Sequence, residues 1–198
     1  MKEYSRVQKM VGTAVLAAIV VVLQTVASGI HVGPFTITLS LVPIIIGAIM
    51  FGPVSGAVLG AVFGIVVATA VVVGADQGGA IMFSQNPVAT ILICLLKSTV
   101  AGFVAGLISH KAASKKLMLG VVLAAIAAPV CNTGIFVLGL STVFGDLLRE
   151  WATASGFGNA FVYIVVGLVG LNFLIELLVD IILAPIIVSI VKTLRRAA

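Results

Sequence analysis

The chain has 198 residues, of which 62% are hydrophobic and only 9% charged, with a mean hydropathy of +1.35 and a formal net charge of +5. A soluble domain carries about 25% charged residues, so this composition excludes a water-soluble globular protein and places nearly all of the chain in or beside a bilayer. No Asp, Glu, Lys or Arg lies between Lys9 and Asp76, a length that holds several spans, since one span takes about 20 residues.

In chain order, a polar segment, MKEYSRVQK, covers residues 1–9 and a first span follows at 10–28. The apolar run after Lys9 is too long for a secretory leader and no small-residue cleavage site precedes a polar mature domain, so no cleavable leader is expected. A connector, GIHVGPFTIT, covers 29–38; a short apolar second span covers 39–51 and a third 54–73. Gly52, Gly56, Gly60 and Gly64 recur every four residues, so on a helix they share one face, with Ala57 and Ala61 beside them. Small residues at this spacing let two membrane helices pack backbone to backbone. Gly52-Pro53 reads as the tight turn of a helical hairpin, with Pro at the first turn of the second arm. Residues 74–86, GADQGGAIMFSQN, read as a polar, glycine-rich loop. The fourth span, 87–109, opens on Pro87 with Asn86 as its cap. A basic loop at 110–116 leads to a fifth span at 117–144, interrupted by Pro129. A polar connector at 145–158 contains the sole Trp, Trp151; a sixth span covers 159–191, and KTLRRAA closes the chain.

Lys2, Arg6, Lys9, Lys111, Lys115, Lys116, Lys192, Arg195 and Arg196 all fall on one side of a six-span arrangement, and Asp76, Asp146, Arg149 and Glu150 on the other. Cytoplasmic loops carry the excess of Lys and Arg. The expected fold is therefore an all-α integral membrane protein, one domain over residues 1–198 with six transmembrane helices, N-in and C-in. The outer connectors are longer and more polar than the inner turn, which points to a site opening outward.

Several side chains at membrane depth need a reason. Lys97 lies mid-span in LICLLKSTVAG, where a charge costs about 2.5–3.5 kcal/mol even on the lenient insertion scale. Three readings stay open for it: an ion pair with Glu176, contact with a polar or anionic ligand, or snorkelling to the interface. Glu176 and Asp180 stand four apart on one helix face; Asp180 is nearer the cytoplasmic end and is also readable as interfacial. Asn132, with Thr133, follows Pro129, and Asn172 precedes Glu176 by one turn. Buried amides want partners, either other helices or a ligand. Asn86, Lys97, Asn132, Asn172 and Glu176 thus converge from three spans as candidate substrate-binding residues, whereas the first three spans offer only Gln24 and Thr25 at depth. Cys94 and Cys131 sit in apolar runs and read as packing residues. His31 and His110 have no second ligand at metal spacing, so no metal or cofactor is expected. The chain has no phosphate-binding loop and no HExxH or GxSxG; nothing indicates an enzyme or a nucleic-acid partner.

The segments GPFTITLSLVPIIIGAIMFGPVSGAVLGAVFG, NPVATILICLLKSTVAGFVAGL, APVCNTGIFVLG and GLNFLIELLVDIILAPII occur in that order. With the small-residue first span and the basic inner loop, they resemble the substrate-binding S components of energy-coupling-factor (ECF) vitamin transporters. The resemblance runs over essentially the whole chain and is most distinctive at Pro43–Gly64 and at Asn132-Thr133-Gly134. It implies a six-helix protein of a prokaryotic cell membrane that binds a small water-soluble vitamin with high affinity from outside. It also implies work with a separate transmembrane coupling protein and two cytoplasmic ATPases. A small-xxx-small pattern on the first span contacts the coupling protein in that family; Ala14 and Ala18 match it. Phe35-Thr36-Ile37-Thr38-Leu39 stands where riboflavin members carry a Lys-Ile-Asp-Phe-type connector, which counts against riboflavin. The chain is most similar to the pantothenate-type group. One cation among amides suits a flexible carboxylate with hydroxyl and amide groups. Pyridoxine, hydroxymethylpyrimidine, folate and riboflavin remain as alternative ligands, and an autonomous secondary transporter as an alternative class, although no internal halves are evident.

Overall fold

The computed structural model of the chain describes residues 4–27, 31–32, 35–36, 40–113, 116–168 and 170–197. Helix α1 (Arg6–Ala27) starts where it does because Ser5 and Gln8 form a reciprocal cap. Ser5 N donates to Gln8 Oε1 at 2.9 Å and Gln8 N donates to Ser5 Oγ at 3.2 Å, the capping-box arrangement. Two short strands, β1 (His31–Val32) and β2 (Phe35–Thr36), pair antiparallel inside the connector. Then come α2 (Leu41–Phe51), α3 (Pro53–Val72), α4 (Gln77–Gln85), α5 (Pro87–Ala113) and α6 (Leu117–Val143). The chain continues through α7 (Gly145–Ala154), α8 (Ala160–Val162), a π-helical segment Tyr163–Leu168, and α9 (Gly170–Ala197).

Helix α2 is the axis of the bundle. It packs against α1, α3, α5, α6 and α9, and Leu41 and every residue from Pro43 to Met50 is buried. An entirely apolar helix with no polar face belongs inside a bundle. Its direction is fixed at both ends: Ser40 Oγ donates to Gln24 Oε1 at 3.0 Å, and the Phe51 ring meets the Tyr4 ring edge-on at 5.3 Å between centroids. Thus α2 runs antiparallel to α1, from the level of Gln24 to that of Tyr4. Its 11 residues rise about 16 Å, roughly half of a 30 Å hydrocarbon core. Five other helices are long and apolar enough to cross a membrane: Arg6–Val26, Pro53–Val72, Pro87–Ser109, Leu117–Val143 and Phe173–Leu194.

The glycine row holds α3 to α5. A Cβ built on Gly56 would strike the carbonyl of Gly102, one on Gly60 the carbonyl of Ser98, and one on Gly64 the carbonyl of Cys94 at 2.8 Å. The seam is reciprocal: Gly102 lies against the Gly56 carbonyl and Gly106 against Pro53. The backbones touch without intervening side chains, the contact that small-xxx-small spacing permits. Gly52 belongs to the turn rather than the row. Its φ of 96° is the conformation that L side chains avoid, and no heavy atom lies within 4 Å of its would-be Cβ. Val73 closes α3, and Gly74, at φ 80°, turns the chain out of it.

Antiparallel packing of α3 on α5 brings Pro53, Gly106 and hence Lys111 to the end of the bundle where Tyr4 and Phe51 lie. Asp76, Asp146, Arg149 and Glu150 follow the opposite ends of α3 and α6. At that far end two expected loops are helical. Residues 74–86 contain α4, whose N-cap Asp76 accepts from Gly79 N at 2.7 Å. Residues 145–158 contain α7, which buries Leu147, Leu148 and Ala152 and turns Asp146 and Arg149 outward in a 2.8 Å ion pair. Their short apolar stripes are masked in the sequence by glycine and charge. The expected sixth span at 159–191 is not one α-helix: α8 and the π-helical turn occupy its start, and its apolar crossing stretch is Phe173–Leu194.

Replacing Gly60 or Gly56 by Leu forces α3 and α5 apart, and overpacking of this kind costs about 1–3 kcal/mol. Both variants are expected to give less folded protein and a lower melting temperature in detergent. Gly134→Ala, with nothing within 4 Å of the added carbon, is expected to leave both unchanged. Normal stability of Gly56→Leu and Gly60→Leu would contradict the seam.

Candidate functional site

The interior is divided into two apolar clusters. The larger contains α2 with the faces its neighbours turn to it; it extends to Val71 at the outer end of α3, reaches Ala128 on α6 and begins at Ala184 on α9. The smaller gathers Met82 of α4, Ile93 of α5, Leu140 and Phe144 of α6, the buried face of α7, and Tyr163, Ile164 and Leu168. On α6 and α9 the stretch between the clusters carries buried polar groups: Asn132 is 4% exposed, Glu176 4% and Asp180 2%.

The buried row on α6 runs Val121, Ala124, Ala125, Ala128, Asn132, and that on α9 runs Val191, Ile187, Ala184, Asp180, Glu176. The two helices pack on each other, and Ala124, Ala125 and Ala128 give α6 a small-residue face. Asn132 is the next member beyond Ala128, and Asp180 the next beyond Ala184. Both helices thus carry their buried polar groups just beyond the larger apolar cluster. Asn132 Oδ1 and Asp180 Oδ2 are buried and accept no hydrogen bond among the described residues.

Lys97 arrives from α5. It is half-buried, and its Nζ lies 5.0 Å from the centre of the Phe136 ring, one turn beyond Asn132 on α6. An ammonium over an aromatic face gains about 0.5–2 kcal/mol depending on its desolvation. Among the described residues no ion pair joins Lys97 to Glu176. The seam explains the placement: Ser98 faces α3, its carbonyl against Gly60 and its hydroxyl donating to Cys94 O at 2.6 Å. The preceding residue is turned about 100° away, toward α6. Gly102 faces Ile44 of α2: a Cβ added to it would lie 3.1 Å from Ile44 Cγ2. Lys97, about 7.5 Å farther along α5, stands near the N-terminal turn of α2.

The remaining candidates lie elsewhere. Asn86 is exposed and serves as the cap of α5, its Oδ1 accepting from Ala89 N at 3.1 Å. The 11 residues separating it from Lys97 correspond to about 16 Å of helix. Asn172 lies on α9, with its side chain outside the described residues, as are the side chains of His31 and His110. Gln24 is buried and committed to Ser40. Ala14 and Ala18 are exposed on α1, whereas Ala17 packs against the larger cluster. Only 11% of the α1 crossing stretch is buried, against 28–39% of the other four. Between α1 and α9, which do not close on each other, runs an apolar groove of about 640 Å³ lined by Tyr4, Val11, Val15, Met50, Phe51 and Ile190, among others. Among the described residues no group of three or more His, Cys, Asp or Glu comes together.

Sequence reasoning did not include Phe136 as a partner of Lys97, and left Asp180 between interface and interior. The signal for Asp180 was present in its spacing, four residues from both Glu176 and Ala184 on one buried stripe.

The family model described as ECF transporter, substrate-specific component, matches residues 8–188. No curated protein matches the chain. The chain belongs to the ECF transporter substrate-specific components, a family of transporter binding subunits rather than enzymes.

A buried polar atom without a partner costs about 1–3 kcal/mol. Asn132→Leu removes that cost with little change of volume. It is expected to preserve or raise the melting temperature of the ligand-free protein while abolishing substrate binding. A sharp loss of stability would show that Asn132 is a structural bridge.

Proposed function

We propose that this substrate-specific component is the high-affinity membrane binding subunit for a small water-soluble vitamin, pantothenate in the first place, in a prokaryotic cell membrane. Its termini are cytoplasmic, six passes are made in all with α2 and its connector as the second, and the site opens outward. Lys97, Asn132, Glu176 and, from the outer rim, Asn86 and Asn172 bind the substrate. A separate transmembrane coupling protein docks on Ala14 and Ala18, and two cytoplasmic ATPases drive the cycle.

The observation that carries the reading is the polar step between two apolar clusters. There a half-buried ammonium lies over Phe136, one helical turn from buried Asn132 on α6, and α9, packed on α6, carries buried Glu176. Interior charge in a membrane protein marks a site more often than a scaffold, and a cation with amide acceptors suits a carboxylate bearing hydroxyl and amide groups. The orientation rests on Arg6, Lys9, Lys111 and Lys192 near the Tyr4 end of the bundle, which is cytoplasmic by the positive-inside rule. The docking face rests on the exposure of Ala14 and Ala18 on the least covered helix.

Among the described residues no ion pair joins Lys97 to Glu176, and Met keeps the length and apolar stem of the side chain, so Lys97→Met is expected to stay folded. Losing one charge-assisted bond costs about 1.5–3 kcal/mol, or roughly 10- to 150-fold in affinity. Calorimetric titration of purified Lys97→Met with pantothenate is expected to show that loss, and Glu176→Gln added to it is expected not to restore binding. Binding as tight as that of the unaltered protein in either variant would remove Lys97 from the site. Tighter binding of pyridoxine than of pantothenate by the unaltered protein would overturn the vitamin and keep the transporter.

For the docking face, Ala14→Trp or Ala18→Trp is expected to abolish uptake into cells expressing the coupling protein and ATPases. Binding to the isolated subunit should remain within about twofold, since neither side chain is in the core. A parallel fall of binding and uptake would mean that these alanines serve internal packing.

A further inference from the structure

Asp180 belongs to none of the roles assigned above. It is 2% exposed, lies inside an apolar crossing stretch, and its Oδ2 has no hydrogen-bond partner among the described residues. A carboxylate retained at such a position without a donor is strongly disfavoured. On α6, which packs on α9, Asn132 is 4% exposed and its Oδ1 also has no hydrogen-bond partner among the described residues. Two helices that pack on each other thus each carry a buried oxygen that accepts no hydrogen bond among the described residues. Glu176 stands one turn outward on the same face as Asp180, and Phe136, carrying Lys97, one turn outward from Asn132.

We propose that Asp180 and Asn132 form an acceptor subsite at the inner end of the binding site, which takes a hydrogen-bond-donating group of the substrate, a hydroxyl or an N–H. This rests on the reading of the protein as a vitamin-binding subunit and adds to it a polarity for the bound molecule. Its anionic end lies outward at Lys97 and its donor end inward at Asp180, about one helical turn deeper, or 5–6 Å. Substrates with a carboxylate but no donor on the far end are excluded, because they leave both oxygens unpaired; such sites reject analogues lacking the donor far more strongly than they distinguish alkyl groups.

The test is a cycle between protein and ligand. Asp180→Asn keeps the side-chain volume and reverses part of its hydrogen-bonding capacity; Asp180→Leu serves as the check on folding through its melting temperature. Pantothenate, pyridoxine and hydroxymethylpyrimidine are titrated into the unaltered protein. The tightest binder is then compared with analogues in which each hydroxyl or N–H is replaced singly by hydrogen or a methyl group. Asp180→Asn is expected to lose about 10- to 150-fold in affinity for that binder at an unchanged melting temperature. One analogue is expected to lose a similar factor on the unaltered protein and to lose nothing more on Asp180→Asn. Equal affinity of Asp180→Asn and the unaltered protein overturns the subsite, and so do losses that multiply for every analogue, the mark of a general structural effect. A requirement for sodium that vanishes in Asp180→Asn also overturns it, assigning the oxygens to a metal cation instead. If pyridoxine or the pyrimidine binds and pantothenate does not, the vitamin assignment falls while the subsite is judged by the same cycle.

Discussion

A helix of 11 residues buried on all sides can fill only half of a bilayer-thick interior, and most of the structure follows from that shortfall. Around α2 the surrounding helices meet apolar side chains from Leu41 to Phe51. Beyond its N-terminal turn they have no central helix to pack on. That space is closed instead by α4, α7 and the π-helical turn, which build a second apolar cluster with the outer ends of α5 and α6. Between the two clusters polar groups are tolerated, because neither lipid nor a well-packed apolar core surrounds them. Polar residues deep in a membrane protein are expensive wherever they sit; on α6 and α9 the buried ones, Asn132, Glu176 and Asp180, lie beyond the apolar stretches that end at Ala128 and Ala184.

The glycine seam sets the placement of Lys97. Backbone contact between α3 and α5 fixes their relative rotation more tightly than large, rotatable side chains would, since a residue at the seam has no rotamer to adjust. Ser98 is held against Gly60, and with it the direction of Lys97 toward Phe136. On α6 the small residues Ala124, Ala125 and Ala128 lead up to Asn132, and Pro129 leaves the carbonyl of Ala125 without its usual helical donor. Close packing, usually discussed as a source of stability, sets the aim of the polar side chains.

Much of this was legible in the sequence because the responsible signals are strong and local. Four-residue spacing of Gly56, Gly60 and Gly64 names a packing face without a structure, and a charge-free run from Lys9 to Asp76 names a membrane segment. Asn86 as a cap follows from its position before Pro87. What the sequence did not disclose depends on partners distant in the chain. The reciprocal face of the seam, Gly102 and Gly106, has the same spacing but lies in a span whose single lysine draws the eye. Phe136 becomes a partner of Lys97 only once the register of α5 on α6 is known, and Asn86 leaves the neighbourhood of Lys97 for the same reason. The helices α4 and α7 are too short and too polar to reveal an apolar stripe by hydropathy.

Two elements, α2 and α9, run from the level of the buried polar groups to the groove beside α1. The N-terminal end of α2 stands at the level of the polar step, while Met50 and Phe51 at its C-terminal end line the groove beside α1. Helix α1 contacts the rest of the bundle through α2 and α3 and leaves Ala14 and Ala18 uncovered. A rigid helix transmits displacement along its axis with little loss, because its hydrogen bonds and packed side chains permit few alternative lengths. About 16 Å of buried helix, rather than loops, separates the polar end of α2 from the groove, and the hydrogen bond from Ser40 to Gln24 ties that end to α1, the least buried of the crossing helices. The short helix that leaves room for a polar site also joins it to the face that a partner would meet.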